Sequence, residues 1–314
     1  MSKSTMNIEQ IQSLWLASLK SQYVSESTIR KYGIFMRQLA VWTQEQRLAM
    51  LDLTTLHLQQ FLAGLPISSN TAHKRIATYK AFFNFSEENG FIPNSPARRL
   101  KAPRFKVPDR KPYTQAEIIS ILEACSRVGQ HPYERLRAKA AVLLMRHHAL
   151  RISDTLALRR DSITQERGTW ILRLRAKKND RGIEHPVPDV VLDTLHCLPV
   201  PIGVNGQGTK YFFWNGVGRF QNVMDNMQAI LRDVYRASCV PGACNHRFRH
   251  TRASEILAVG GTMQDVADFL GISARIAEKH YCKWMPERQQ RITALMEKLE
   301  LREEGYVPSE ARPS

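Results

Sequence analysis

His246-Arg247-Phe248-Arg249-His250 opens a run that continues through Ile256 and Leu257 to Gly260-Gly261, and the reading of the whole chain turns on it. The apolar spacing predicts a helix, with the glycine pair as its stop. Arg249 is expected at the start of that helix, where free N–H groups and the positive end of the dipole favour a phosphate. An arginine there adds a planar, permanently charged fork that can hold two phosphate oxygens at once. Taken alone, His246-x-x-Arg249 also describes a surface pair on a basic protein, so the flanking sequence has to decide.

Upstream, Ala149-Leu-Arg-Ile-Ser-Asp-Thr-Leu-Ala-Leu158 sets Arg151 between two helices. The first, Ala138 to Met145, is strongly apolar; the second is amphipathic, with Ile152, Leu156 and Leu158. Such surroundings predict partial burial, and a buried guanidinium needs an anion. Asp154 is one candidate and a substrate phosphate is the other. Further on, Gly168-Thr-Trp-Ile-Leu-Arg-Leu-Arg175 alternates as a strand, with Trp170, Leu172 and Leu174 on one face. Asn179-Asp-Arg-Gly182 is turn chemistry, and Ile183 to Val187 returns as the partner strand. Downstream of the opening run, Thr262 caps a short helix bearing Val266, Phe269 and Leu270, and Gly271-Ile272 follows. Ser273 begins a last helix, with Tyr281 late on it. A tyrosine becomes a nucleophile only where cations lower the cost of its phenolate, whose reference pKa is about 10.

Arg151, a lysine in the strand–turn–strand, His246-x-x-Arg249, Leu270-Gly271 and Tyr281 occur in that order, and the set resembles the tyrosine recombinase (phage integrase) family. The spacing is similar too, with Tyr281 lying 32 positions after Arg249 and nine after Ile272. The resemblance implies a site-specific recombinase that cleaves and rejoins duplex DNA to integrate, excise or resolve an element. Tyr281 would attack a phosphodiester, forming a 3′-phosphotyrosyl bond and releasing a 5′-hydroxyl. Arg151 and Arg249 match the pair that clamps the scissile phosphate, and His246 the histidine that takes the tyrosine proton or bonds the phosphate. The hairpin lysine would protonate the leaving 5′-oxygen. Lys177 and Lys178 are adjacent, and strand alternation turns them to opposite faces, so one of them serves. Lys178 is favoured, because Lys178-Asn179-Asp180 resembles the family's lysine followed by a small polar turn residue; Lys177 would then contact the DNA backbone. His250 follows the arginine as it commonly does in the family, outside the core catalytic set. Because the phosphotyrosyl link conserves bond energy, the resemblance implies no cofactor, metal or nucleotide.

One position departs from the pattern. Ile272 stands where the family usually has His or Trp donating a hydrogen bond to the phosphate. Losing one such donor costs on the order of 2–4 kcal/mol at the transition state, so slowed catalysis is expected. Ile272 also supports an alternative reading, an inactivated homologue that acts as a DNA-binding, architectural protein. A third reading is a type IB topoisomerase, against which the small N-terminal helical bundle argues.

The rest of the chain fits this frame. Its 314 residues suffice for two domains, and 43% hydrophobic with 24% charged residues is ordinary globular usage. A formal net charge of +16 implies a polyanionic partner, double-stranded DNA above all, and no apolar run is long enough for a membrane span. With no secretory signal at Met1-Ser-Lys-Ser-Thr5, the chain is expected in the cytoplasm, on the nucleoid when bound. Five scattered cysteines without a C-x-x-C argue against a disulfide framework. Cys239, Cys244, His246 and His250 tempt a zinc reading, but Arg247, Arg249 and Arg252 would crowd a cation.

The expected fold class is mainly α with a small antiparallel β-sheet. Residues 1–100 form a four-helix core-binding (SAM-like) domain: one helix carries Ile8, Ile11, Trp15 and Leu19, and the next opens at Ser25. A short helix spans Leu53 to Leu65, and a fourth runs from Ser69 to Glu88 with Gly90 as its cap. Residues 101–113 are a basic linker, whose Lys101, Arg104 and Lys106 are expected on the DNA backbone. Residues 114–296 make the α+β catalytic domain, opened by the capping box Thr114-Gln-Ala-Glu117, and 297–314 a tail. The family frame adds a C-shaped clamp on DNA and a homotetramer on two DNA sites.

Overall fold

The computed structural model describes residues 6–105, 111–175, 182–203 and 206–281, together with Met296. The chain divides into two compact units, Met1–Pro108 and Asp109–Ser314, with the boundary inside the proline-rich basic segment. No described helix is long and apolar enough to cross a membrane.

In the first unit the helical periodicities become α1 (Ile8–Ser21), α2 (Glu26–Glu45), α3 (Thr55–Ala63) and α4 (Ser69–Glu88). Asn7, Ser25, Thr54 and Ser68 each accept a backbone N–H at the helix start, satisfying donors that would otherwise be orphaned. The cap of α4 is Asn89, and Gly90 follows at φ +70°, a left-handed turn that glycine enters without strain. Trp15 stacks on Tyr32 with centroids 5.3 Å apart and meets Phe82 edge-on at 5.5 Å. Met36, Leu39, Tyr79, Phe82 and Phe83 are fully enclosed around this aromatic centre. The buried Arg75 lies over the Phe35 ring at 4.6 Å, where the ring's quadrupole compensates part of its lost hydration. Where the basic segment begins, Phe105 packs edge-on against His73 of α4 at 5.1 Å, while Lys101 and Arg104 are exposed.

The second unit is built on α5 (Gln115–Arg127) and α6 (Pro132–His148), followed by the short α7 (Ile152–Leu156). Thr114 and Glu117 form the expected capping box on α5. An antiparallel sheet follows in the order β1 (Ile163–Glu166), β2 (Thr169–Arg175) and β3 (Gly182–Pro186). Leu172 pairs with Ile163 on one side and His185 on the other, and its side chain is fully buried. Strand β1 escaped the sequence reading because Ile163-Thr-Gln-Glu166 has a single apolar residue and lies at the sheet edge. The helices α8 (Asp189–His196), α9 (Phe220–Ala237), α10 (Asn245–Ala258), α11 (Met263–Leu270) and α12 (Ala274–Tyr281) complete the unit. The aromatic run Tyr211–Trp214 forms no strand; Tyr211 makes a single bridge to Arg159.

Replacing Phe82 by alanine should lower the stability of the first unit by about 3–5 kcal/mol, since a fully enclosed ring leaves a cavity the aromatic cluster cannot close. Urea unfolding followed by tryptophan fluorescence checks this, through Trp15, which touches Phe82 directly.

Candidate active site

Helix α10 is the axis of the site, and it lies deeper than an amphipathic surface helix would. Arg247, Phe248, Arg249 and Thr251 are all buried. Arg247 faces the entrance of the unit. Its guanidinium donates to the carbonyls of Lys111 (2.7 Å), Pro112 (3.3 Å) and Pro241 (3.0 Å) and to both Glu117 oxygens at 2.9 Å, and it covers the Tyr113 ring at 4.2 Å. The Tyr113 hydroxyl in turn donates to the Cys244 carbonyl (3.0 Å) and accepts its N–H (2.7 Å). Of the two residues between His246 and Arg249, Arg247 is therefore structural, anchoring α10 by its first turn.

Arg249 is the first correction to the sequence reading. It lies one turn inside α10, whose N-cap is Cys244, and so stands past the free N–H groups of the helix start. Its side chain is 3% exposed. It donates through Nη1 to the Ala149 carbonyl and through Nη2 to the Leu270 carbonyl at 2.8 Å, leaving further N–H donors on the fork. Burial, and next the nearby Arg151, pull its pKa down to about 10, still charged at neutral pH.

Arg151 is the N-cap of α7, partly exposed, with Nη1 3.7 Å from the buried Asp154 carboxylate. That separation is an ion pair but not a hydrogen bond. Nη1 has no hydrogen-bond acceptor among the described residues, which leaves it a donor for an incoming oxyanion. Of the two anions of the sequence reading, Asp154 is the one at hand, and it pairs with Arg151 at ion-pair distance without taking a hydrogen bond from Nη1.

Tyr281 ends α12 in a small cluster with Ala149, Leu257, Leu270, Ile272 and Ala277. Burial raises its pKa, and the fields of Arg249 and Arg151 work against that rise. The phenol thus stays protonated while sitting where two cations stabilise its anion. His250 packs edge-on against Tyr281 at 5.3 Å and against His246 at 5.0 Å, so three titratable rings form a chain from the exposed His246 to the buried phenol. Ile272 is buried in the same cluster, its apolar side chain packed there and its N–H donating to the Ala267 carbonyl at 2.9 Å. Lys177 and Lys178 lie outside the described residues, as does Lys106. Strands β2 and β3, which carry the two sides of that hairpin, pair in register from Ile171–Pro186 to Arg175–Gly182.

Two buried histidines went unnoticed in the sequence. His148, the last residue of α6, is stacked on His185 of β3 at 5.7 Å, and His185 is stacked on Phe269 of α11 at 3.8 Å. Burial, with the neighbouring cations Arg252 and Arg249 adding to it, pushes His185 down to about 4. His148 is pushed down to about 3, by burial first and then by His185, His147 and Arg252. Only Pro186 after His185 and the apolar run before His148 hinted at enclosed rings.

With this geometry in view, the comparisons with known proteins converge. Residues 112–284 match the phage integrase family. A tyrosine recombinase from Thermosipho africanus is 24% identical over 257 residues, covering 79% of this chain and 85% of the relative. Tyrosine recombinase XerA from Thermococcus kodakarensis is 24% identical over 283 residues, covering 88% and 92%. Among solved structures, a XerH site-specific recombinase bound to palindromic difH substrate aligns with a TM-score of 0.63 at 14% identity, covering 93% of this chain and 85% of that one. A lambda integrase dimer bound to a COC′ core site gives 0.64 at 15% identity, covering 88% and 77%. These two likenesses are of fold. The chain belongs to the phage integrase family, and it is a tyrosine-type site-specific recombinase, an enzyme of DNA recombination.

The two stacked histidines make stability pH-dependent. Both are held neutral in the folded protein, with pKa values below the roughly 6.5 of an unfolded chain, so their contribution is complete above about pH 7 and is lost as pH falls toward 4. The expected loss between pH 7 and pH 5 is on the order of 1–2 kcal/mol per ring. Urea titrations at the two pH values should give a smaller loss for His148→Leu than for the wild type.

Proposed function

We propose that this chain cleaves and rejoins duplex DNA through a 3′-phosphotyrosyl bond to Tyr281. The observation that carries the reading is the convergence of Tyr281, Arg249 and Arg151 from three separate elements, with both cations acting on the buried phenol. The Tyr281 oxygen bonds to phosphorus, the bond from phosphorus to O5′ breaks, and the tyrosine proton leaves toward His246, with His250 between the two rings. Arg249, already oriented by two carbonyls, and Arg151, oriented by Asp154, stabilise the charge on the non-bridging oxygens. Lys178, or Lys177 in its place, protonates the leaving O5′. The residues present accomplish this without a cofactor.

Lys101, Arg104, Lys106 and Lys177 contact the flanking backbone, and such phosphate contacts supply much of the affinity. Strand exchange joins two duplexes, so the working assembly is a homotetramer on two DNA sites. One of the solved relatives is a lambda integrase tetramer bound to a Holliday junction. Integration, excision and resolution all use this one chemistry.

The test is covalent capture on a nicked duplex drawn from a random-sequence pool selected for binding to Tyr281→Phe protein. The wild type should form a denaturation-resistant protein–DNA adduct, and Tyr281→Phe should form none while binding equally well. An adduct that persists in Tyr281→Phe refutes Tyr281 as nucleophile. A wild type that binds but never forms one favours the architectural reading that Ile272 supports. If Ile272 has cost the site a phosphate donor, Ile272→His should speed adduct formation by up to about 10²-fold in single-turnover assays.

A further inference from the structure

Two arginines of α10, one turn apart, each tie the end of α6 to the end of α11. Arg249 donates to the carbonyl of Ala149, the cap of α6, and to the Leu270 carbonyl of α11 at 2.8 Å. Arg252 donates to the His147 carbonyl of α6 at 3.0 and 3.2 Å, and its guanidinium lies 5.8 Å from the Phe269 ring of α11. The two nitrogens that Arg249 uses belong to one rigid, planar fork. The Ala149 and Leu270 carbonyls must therefore stand a fixed distance apart, although they come from separate helices.

Between the same two helix ends a ring is inserted from the sheet. His148, the residue before Ala149, faces His185 of β3 at 5.7 Å and 11°. His185 in turn faces Phe269, the residue before Leu270, at 3.8 Å and 13°. Each outer ring is thus borne by the neighbour of a residue that supplies a carbonyl to Arg249. Both ring nitrogens of His148 lack a hydrogen-bond partner among the described residues, so this ring contributes its face rather than its polarity. Beside the stack an open cavity of about 510 Å³, lined by Glu184, Asp265 and Asp268 among others, lies between β3 and α11. The His185–Phe269 contact bridges that seam. A leucine at 185 would fill part of the volume, but only a flat ring keeps two other flat rings parallel at these spacings.

We propose that His185 is a positioning residue for Arg249: as a spacer between His148 and Phe269, it fixes the separation of the Ala149 and Leu270 carbonyls, and with it the pose in which the guanidinium meets the scissile phosphate. This rests on the reading that Arg249 stabilises the charge gathering on the non-bridging oxygens as Tyr281 attacks. A misplacement of about 1 Å costs on the order of 10²-fold in rate. In a methylphosphonate, a methyl group replaces one non-bridging oxygen, and the linkage carries one negative charge fewer. A defect in the clamp then largely disappears, whereas a defect in folding or in DNA binding remains.

Single-turnover adduct formation is measured on the selected nicked duplex with a phosphate and with a methylphosphonate at the cleavage position. The proteins are wild type, His185→Leu, His185→Phe, Arg249→Ala and the double variant His185→Leu/Arg249→Ala. On the phosphate, His185→Leu should be slowed by about 10²-fold. His185→Phe, which keeps a ring in the stack, should stay close to wild type, and the double variant should be no slower than Arg249→Ala. On the methylphosphonate, His185→Leu and Arg249→Ala should both return near the wild-type rate. The proposal is overturned, with the Arg249 reading left standing, by any of three results: His185→Phe as slow as His185→Leu, equal rates or equal slowing of His185→Leu relative to wild type on both substrates, or a double variant slowed by the product of the single effects. An Arg249→Ala defect that the methylphosphonate does not relieve overturns the Arg249 reading and the proposal with it. Should His185→Leu not fold, Phe269→Leu removes the neighbouring ring and is judged in the same way. Should Arg249→Ala not fold, Arg249→Lys, which keeps the charge and loses the fork, takes its place.

Discussion

A permanently charged guanidinium with almost no exposure is the constraint to which the second unit answers. Arg249 can be buried only because two backbone carbonyls, of Ala149 and Leu270, turn inward to receive it. Each carbonyl belongs to a place where a helix has just ended. Ala149 caps α6 with φ +50°, and Gly271, directly after Leu270, caps α11 with φ +58°. A left-handed residue costs an alanine roughly 1 kcal/mol, and that cost is accepted where the carbonyl gains a charged donor. Because the same turn leads within two residues to Arg151, the bonds that bury Arg249 also fix the approach of the chain to Arg151.

Much of the positive charge serves this interior architecture. Arg247 is consumed by three carbonyls and Glu117, and Arg146 grips Glu255 through two bonds of 2.7 Å. Arg252 shares Glu255 and also holds the end of α6. On the sheet surface Arg173 is bracketed by Glu166 and Glu184. Net charge is therefore a good guide to the class of partner and a poor guide to which residues meet it. At the candidate site Arg151 stands apart, with Nη1 lacking a hydrogen-bond acceptor among the described residues.

Some of the fold was plain from the chain alone because its signals are local. Helices α1, α2 and α4 follow apolar spacing and caps, and β2 follows strict alternation. Strand β1 was not legible, since one apolar residue among four gives no period, and α8 was not read because, unlike α11, it has no capping side chain to mark its start. Of the site, the ordered set of Arg151, His246, Arg249 and Tyr281 was visible through its resemblance to a family. The histidines of the stack were not, because the apolar run before His148 and the proline after His185 are signals too weak to distinguish an enclosed imidazole from a surface one.

The order and identity of residues by themselves determined the family, the charge class of the partner and the positions of most helices, since each rests on near-neighbour patterns or on motif order. What only the tertiary structure decided is which face each charged or aromatic side chain meets. Arg249 draws its orientation from carbonyls 100 and 21 residues away, and His185 its burial from rings on two other elements. Burial and hydrogen bonding are properties of the packed chain, and no local pattern carries them.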